Sequence, residues 1–367
     1  MRHEKIKEHY KIMTTKTVLH VCNYAAPYRG NFIDSLASLQ HYQDIQNIYL
    51  FPHQAHHSGA QEWIDELNQG GVCAYILENS FTKNVRLLKS IIKKHSIDRI
   101  ITHFTDIKID LLIKAVYNGK KVIRFFHTPY HPTKPLLHHI RKFLWNKNIF
   151  IGVSDFVTKN LKNIFPKHQS YSIINAINFN RLNAIVEPLK NKPIVITMMG
   201  WDWKRKGVDL ALQAIDNIRC KYDIVLQIVA AINNNKIEQV ITDTLGSRVE
   251  WVKILPPTND ISSYYKISHI FLSPSREEAF GYAVVEAAYC ENSIVLSKVD
   301  GQGELEIDSA YWFESENVDE FTKQLEKAIL ELNTPETLLL KKQTKEKIQS
   351  TYSLEKWCKE VLALLTK

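Results

Sequence analysis

The sequence predicts an α/β protein of two Rossmann-like domains. Two observations carry that prediction. Short apolar runs alternate with helical patterns along the 367 residues, and the alternation occurs twice, on either side of a polar stretch at 181–193. Most of the runs are rich in Val and Ile without polar alternation, as expected for strands buried on both faces of a parallel sheet. A chain of this length suits two domains of ordinary size.

In the first half the predicted strands are 17–23, 45–51, 72–77, 99–104, 122–127, 149–154 and 172–175. In the second half they are 194–199, 224–230, 249–254, 270–274 and 294–297. Segments between them, such as 32–39, 85–94 and 208–217, carry apolar residues at helical spacing. This is a β-α-β rhythm. The predicted boundaries are 1–180 for the first domain, 181–192 for a linker ending near Lys190-Asn191-Lys192-Pro193, and 193–350 for the second domain. A C-terminal segment, 351–367, reads as an amphipathic helix with Trp357 and leucines on its apolar side.

Hydrophobic residues make up 45% and charged residues 23% of the chain, which are the proportions of a soluble globular protein. No apolar run approaches the roughly 20 residues that span a bilayer. Residues 1–16 are charged and lack a signal peptide's apolar core. Cys22, Cys73, Cys220, Cys290 and Cys358 form no CxxC pair and read as buried thiols in a reducing compartment. The expected location is the cytoplasm.

The net charge of +8 is uneven. Residues 1–190 hold 26 Lys+Arg against 13 Asp+Glu, and the remainder holds 21 against 26. The first half therefore carries +13 and the second −5. A basic half points to an anionic partner such as a membrane surface, a lipid phosphate or an acidic polymer.

The densest chemistry lies in Ser-Arg-Glu-Glu-Ala-Phe-Gly over 275–281 and the Ala-rich segment after it. Glu278 falls at the C-terminal end of a predicted strand, and Glu286 falls inside the helix that follows. In an open α/β sheet that edge is where ligands bind. The helix N-terminus near Ala279, Phe280 and Gly281 offers N–H groups to an anion. Carboxylates there suit sugar hydroxyls. Together they suggest a ligand with both phosphate and hydroxyls, such as a nucleotide sugar.

The spacing Glu-x7-Glu within Glu-Ala-Phe-Gly resembles the donor-site signature of retaining glycosyltransferases of family four, which have the GT-B fold of two Rossmann-like domains facing across a cleft. The resemblance covers most of the chain and is strongest over 193–300. It implies that Glu278 contacts the donor sugar and Glu286 the ribose. It also implies that the last helix crosses back onto the first domain. Met-Gly-Trp-Asp-Trp-Lys-Arg-Lys-Gly over 199–207 resembles the family's diphosphate loop: Gly200 opens it, and Arg205, Lys206 and Gly207 fit its end. Trp201 stands where the family has Arg, so diphosphate binding is expected to rest on Arg205 and Lys206. His127 closes a predicted strand and, by resemblance, contacts the sugar from the first domain. Gly30, with Arg29 beside it, occupies the place of the family's first glycine loop; Arg29 is a candidate contact for an anionic acceptor. Residues 149–154 and Asn-Ala-Ile-Asn over 175–178 resemble architectural turns near the cleft.

The implied reaction is metal-independent, retaining transfer of a hexosyl group from a nucleotide-diphosphate sugar, a UDP-sugar being favoured. The acceptor is a hydroxyl, lipid-linked or otherwise anionic, in bacterial surface polysaccharide synthesis. No cofactor beyond the donor substrate and no nucleic acid partner is expected. Alternatives are a nucleotide-sugar epimerase of the same fold, or a non-catalytic nucleotide-sugar or polyanion-binding protein. A divalent-metal transferase of the other major fold is disfavoured because no Asp-x-Asp occurs. The clusters His53, His56, His57 and His127, His131, His138, His139 lack the spacing of a metal site. No Walker or GxGxxG loop is present. The basic amphipathic stretch 135–147 carries Leu136, Leu137, Ile140, Phe143 and Leu144 as a stripe, with Arg141, Lys142 and Lys147 nearby. It can lie on an anionic membrane, placing the protein peripherally on the inner face of the cell membrane, or equally be a core-facing helix with solvated lysines.

Overall fold

Thirteen strands form two separate parallel sheets in the computed structural model, which describes residues 16–26, 29–42, 45–117, 121–132, 134–182, 193–230, 235–247 and 249–365. The first sheet follows the chain as β1 (Lys16–Cys22), α1 (Asn31–Ser38), β2 (Ile45–Phe51), α2 (Ala60–Gln69), β3 (Cys73–Ile76), α3 (Phe81–His95), β4 (Arg99–His103), α4 (Ile107–Val116), β5 (Val122–Phe126), α5 (Pro135–Leu144), β6 (Ile149–Gly152), α6 (Asp155–Ile164) and β7 (Gln169–Ser172). Its strand order is β3-β2-β1-β4-β5-β6-β7. The second comprises β8 (Ile194–Met199), α7 (Val208–Asp216), β9 (Ile224–Val229), α8 (Asn235–Leu245), β10 (Val252–Leu255), α9 (Ser262–Ile267), β11 (Ile270–Ser273), α10 (Tyr282–Tyr289), β12 (Ser293–Lys298), β13 (Ala310–Glu314) and α11 (Val318–Leu330), in the order β10-β9-β8-β11-β12-β13. Two last helices follow, α12 (Pro335–Thr351) and α13 (Leu354–Leu365).

All pairings are parallel, so every connection must cross a face and cover it. That is why the strands read as continuous apolar runs. Leu19, Val21, Ile48, Leu50 and Ile100 pack one face of the first sheet; Val18, Tyr49, Ile101, Ile123 and Phe125 pack the other. The alternation within each strand is between two buried faces, not between core and water.

In both sheets the strand order reverses between the first and fourth strands, β1 and β4 in one, β8 and β11 in the other. A reversal leaves a crevice at the carboxyl ends because the two crossovers leave in opposite directions. The His127 and Gly30 segments lie at the first crevice. The Lys206 and Glu278 segments lie at the second.

Helix α13 returns to the first domain. Trp357, Cys358, Val361, Leu364 and Leu365 are buried in the same core as Leu36 and Ile33 of α1. Each large apolar side chain so buried is worth about 1.5–3 kcal/mol. The Lys16 ammonium also donates to the Leu365 carbonyl (2.7 Å), and the Ile177 N–H donates to the Tyr352 carbonyl (2.8 Å).

Several expected boundaries move. The seventh strand runs Gln169–Ser172 rather than 172–175, and Ile173 and Asn175 continue it only as single bonds to Gly152 and Val153. The tenth runs Val252–Leu255 rather than 249–254. Strand β13 was not expected. The polar linker, apart from Arg181 and Leu182, lies outside the described residues. Cys220 is exposed and Cys73 half-buried, so only Cys22, Cys290 and Cys358 are the buried thiols expected.

Candidate functional site

Two glycines shape the second crevice. Gly207 caps α7 with φ +66°, and a Cβ there would stand 2.0 Å from the Pro274 carbonyl oxygen at the end of β11. Gly281 caps α10 with φ +98°. Both need the left-handed backbone that side chains resist. The effect is to bring two helix N-termini, carrying partial positive charge, to the same strand ends.

Around them, Glu278, Lys206 and Arg205 converge as one cluster. The Lys206 ammonium donates to Glu278 Oε2, and Arg205 Nη1 lies 3.7 Å from the same oxygen. Arg205 Nη1 also donates to the Glu277 carbonyl (3.1 Å). Burial alone would push the Glu278 carboxyl up. Lys206, Arg205 and the Phe280 N–H outweigh it and hold the carboxyl below its ordinary value. The cavity among Lys206, Ser273, Glu278 and Gly281 is only about 20 Å³. Glu278 thus sits where it neutralises two cations at the strand ends.

Trp201, 59% exposed, stands under this cluster. The Arg205 guanidinium lies 4.5 Å and the Lys206 ammonium 5.6 Å from its ring centroid. The Trp201 side chain therefore offers its π-face to both cations. Gly200 is required by packing: a Cβ would lie 2.3 Å from Ile228 Cγ2.

Glu286 lies one turn into α10, buried at the junction of the two domains. Its carboxylate accepts from Asn31 Nδ2 of α1 (2.6 Å) and from the Tyr265 hydroxyl (2.8 Å). Burial pushes its pKa up, with Tyr265 and Asn31 pulling the other way. Glu286→Ala strands a buried amide and a buried hydroxyl. We expect about 1–3 kcal/mol of lost stability, read as a lower urea midpoint.

Arg29 is not a free cation. Its Nε donates to Asp34 Oδ1 (2.6 Å), and Asp34 also takes Asn178 Nδ2 (3.0 Å) and Arg181 Nη1 (3.4 Å). Gly30 caps α1 in an extended conformation, with Tyr24 Oη 3.6 Å from a built Cβ.

His127 follows β5 on the opposing edge. Its ring stacks on Phe104 (4.0 Å between centroids) and meets Phe32 edge-on. Burial depresses its pKa to about 3, so it is neutral at physiological pH. The loop after it reaches across to the second domain, where His131 Nε2 lies 3.9 Å from Glu277 Oε1. Ala279 also packs into the first domain's core, and a Cβ on Gly301 would touch Ser154 Oγ at 3.0 Å. The two crevices thus face each other across contacting walls.

Sequence reasoning missed the supports. Arg276 makes two bonds to Asp209 of α7 (2.9 and 2.8 Å) and pairs with Glu316, which fixes the strand-to-helix turn. Asp209 and Glu316 hold its pKa above the ordinary value. Gln302 accepts from the Ser273 hydroxyl and donates to the Ser297 carbonyl beneath the same turn. A larger groove of about 790 Å³ between α7 and α8 is lined by Trp203, Gln213 and Lys236, and holds neither Lys206 nor Glu278. Among the described residues no group of three His, Cys, Asp or Glu is placed to hold a metal ion.

Comparison with known proteins bears on the fold. Residues 181–346 match the family model described as glycosyl transferases group 1. The chain is 25% identical over 263 residues to a phosphatidylinositol N-acetylglucosaminyltransferase polypeptide of Arabidopsis thaliana, covering 68% of this chain and 58% of that one. It therefore spans a little over half the length of that relative. It is 25% identical over 300 residues to an uncharacterized glycosyltransferase of Haemophilus influenzae, covering 79% and 82%. Among solved structures, a glycosyltransferase from Rickettsia africae superposes with a TM-score of 0.76 at 18% identity, over 95% of this chain and 97% of that one. HepE of Anabaena in complex with UDP and glucose also gives 0.76, at 15% identity over 96% and 99%. The chain thus has the GT-B fold, and its second domain matches the glycosyl transferases group 1 family.

Proposed function

We propose that the protein is a retaining, metal-independent glycosyltransferase of hexosyl type, using a nucleotide-diphosphate sugar and a hydroxyl acceptor. The observation that carries this reading is the Glu278–Lys206–Arg205 cluster between two helix N-termini. Lys206 and Arg205 hold the donor diphosphate and stabilise the charge that builds on it as the sugar leaves. Glu278, released from Lys206, takes sugar hydroxyls. Glu286 takes the ribose by exchanging its bond to Asn31. His127 meets the sugar from the other domain. Rate comes from positioning, with the leaving phosphate taking the acceptor proton. The UDP and glucose named with HepE support a UDP-sugar as donor.

A thermal-shift titration tests the donor reading. UDP is expected to stabilise the protein by about 2.7 kcal/mol at 100 times its dissociation constant, unchanged after exhaustive EDTA treatment. If no nucleoside diphosphate or nucleotide sugar shifts the transition, the donor site is misassigned. A shift that needs Mg²⁺ or Mn²⁺ would overturn metal independence.

The acceptor we favour is lipid-linked or anionic, met at an anionic membrane surface, in surface polysaccharide synthesis. The plant relative's name includes phosphatidylinositol. On α5, Leu136 is 75% and Phe143 72% exposed, with Ile140 beside them. Leu144 is buried and Leu137 half-buried, so the stripe expected as one face is divided between core and solvent. Arg141 is not available to lipid, since it lies 3.9 Å from Asp110 and packs over Tyr130 and Trp145. Lys142 and Lys147, with Lys121 and Lys167, instead line a groove of about 640 Å³ next to the stripe. Among the described residues no helix is long and apolar enough to cross a membrane. Changing Leu136 and Phe143 together to Ser is expected to abolish binding to anionic vesicles, with the UDP shift unaltered. Wild-type binding is expected to weaken with salt. Undiminished vesicle binding by the double variant would leave α5 an ordinary surface helix.

A further inference from the structure

Three histidines from adjacent strands form a continuous chain beneath the first crevice. Asn47 of β2 starts it: His20 Nε2 lies 3.0 Å from Asn47 Oδ1. His20 of β1 then places Nδ1 3.4 Å from His103 Nε2, at the end of β4. His103 places Nδ1 3.2 Å from His127 Nε2, just past β5. The chain crosses the sheet in its order β2-β1-β4-β5 and ends at the ligand edge. His127 Nδ1 has no hydrogen-bond partner among the described residues.

Each contact between two imidazole nitrogens needs one proton, and a neutral imidazole carries one. The tautomers are therefore not independent. Asn47 Oδ1 can only accept, so His20 carries its proton on Nε2 and leaves Nδ1 bare. His103 must then donate from Nε2, which leaves its Nδ1 bare for His127. His127 donates from Nε2 in turn, and its Nδ1 ends the chain as a lone pair. Asn47 Nδ2 is buried without a partner, so the amide serves this core through Oδ1 alone.

The geometry points to Asn47, His20 and His103 as positioning residues that set the tautomer of His127, so that a proton-free Nδ1 accepts a hydrogen bond from a hydroxyl of the bound sugar. This rests on the donor reading above. The ring is also held in plane. Phe104, at φ +56°, stacks on His127, and Tyr49 stacks on His20 at 5.1 Å. A non-glycine residue in the left-handed region is a cost the fold carries to place that ring. Burial lowers the pKa of His20 to about 4 and of His103 well below its ordinary value, which keeps both rings neutral as the chain requires. A ligand hydroxyl thus meets an acceptor whose direction is decided three strands away.

Ring ¹⁵N spectra of the full-length protein with labelled histidine test this without any substrate. His127→Gln assigns the His127 signals. We expect wild-type His127, His103 and His20 all to carry protons on Nε2 at neutral pH. Asn47→Asp, whose carboxylate also only accepts, should preserve that state. Asn47→Leu should let the Nδ1-protonated form of His127 appear. It should also raise the donor KM by about 3- to 10-fold, the size of one neutral hydrogen bond, with kcat moved less. Wild-type His127 protonated on Nδ1 overturns the proposal, and so does a His127 tautomer unchanged in folded Asn47→Leu. The wild-type spectrum decides even if the Leu variant does not fold. It also stands whether or not sugar transfer is found, so failure of the relay and failure of the donor reading are separate results.

Discussion

Glu278→Ala is expected to lower kcat/KM for sugar transfer by about 10²- to 10³-fold, the loss typical of removing one preorganised polar group from a reacting centre. The same change is expected to leave UDP binding equal or tighter. The two effects separate because Glu278 has two competing relations. Toward the sugar it is an acceptor for hydroxyls. Toward the diphosphate it is a like charge that occupies Lys206 and crowds Arg205. Removing it frees both cations for the nucleotide while leaving the sugar unheld. Lys206→Ala should do the reverse and reduce the thermal shift given by UDP. Circular dichroism confirms that each variant is folded before rates are compared. A folded Glu278→Ala enzyme turning over at the wild-type rate would remove this residue from the donor site. Weaker UDP binding in the same variant would mean that Glu278 organises the cations rather than competing with the nucleotide for them.

The fold was legible where burial on both faces writes a simple pattern. Ile45–Phe51 and Ile194–Met199 have the bounds that their apolar runs suggested, because strands paired on both sides and covered on both faces are mostly apolar. Edge strands carry no such obligation. Strand β13 presents only the short run Ala310–Phe313, alternating buried Tyr311 and Phe313 with less buried Ala310 and Trp312, and β7 is Gln-Ser-Tyr-Ser with no apolar run at all. Each is held by one neighbour, β12 or β6.

The site divides in the same way. Glu278, Lys206 and Arg205 were legible because each lies in a local turn with its own signal: Gly207 closes one, Gly281 the other. Asn31–Glu286 and Arg276–Asp209 were not, since their partners lie 255 and 67 residues apart and nothing local marks them. His20 and His103 did leave a trace. His20 interrupts the apolar run of β1 and His103 ends β4, and a polar ring buried in such a strand must find a partner on a neighbouring one. The sequence does not say that the partner is another histidine.

Those buried rings give the largest expected effect on stability. His20 and His103 are neutral in the fold, with pKa values about 4 and well below 6.5, and both regain a pKa near 6.5 when the chain unfolds. Between about pH 4 and 6.5 the unfolded chain therefore binds more protons than the folded one. The derivative of unfolding free energy with pH is then positive, so stability is complete above about pH 7 and falls as pH drops. Each histidine contributes up to about 1.4 kcal/mol per pH unit, so the pair contributes about 2.7. His127, at about 3, acts in the same direction. Glu286, Asp300, Glu304 and Glu360 act against them, because a raised carboxyl pKa lets the folded state bind a proton first, while His95, His138 and His168, all lowered by burial, act with them. Urea midpoints measured from pH 8 to 4.5 should fall steeply below about 6.5, and His20→Gln should flatten the slope by about one histidine's share. A midpoint flat over that range would mean that the three rings are solvated and charged. The chain from Asn47 to His127 could not then hold a single tautomer.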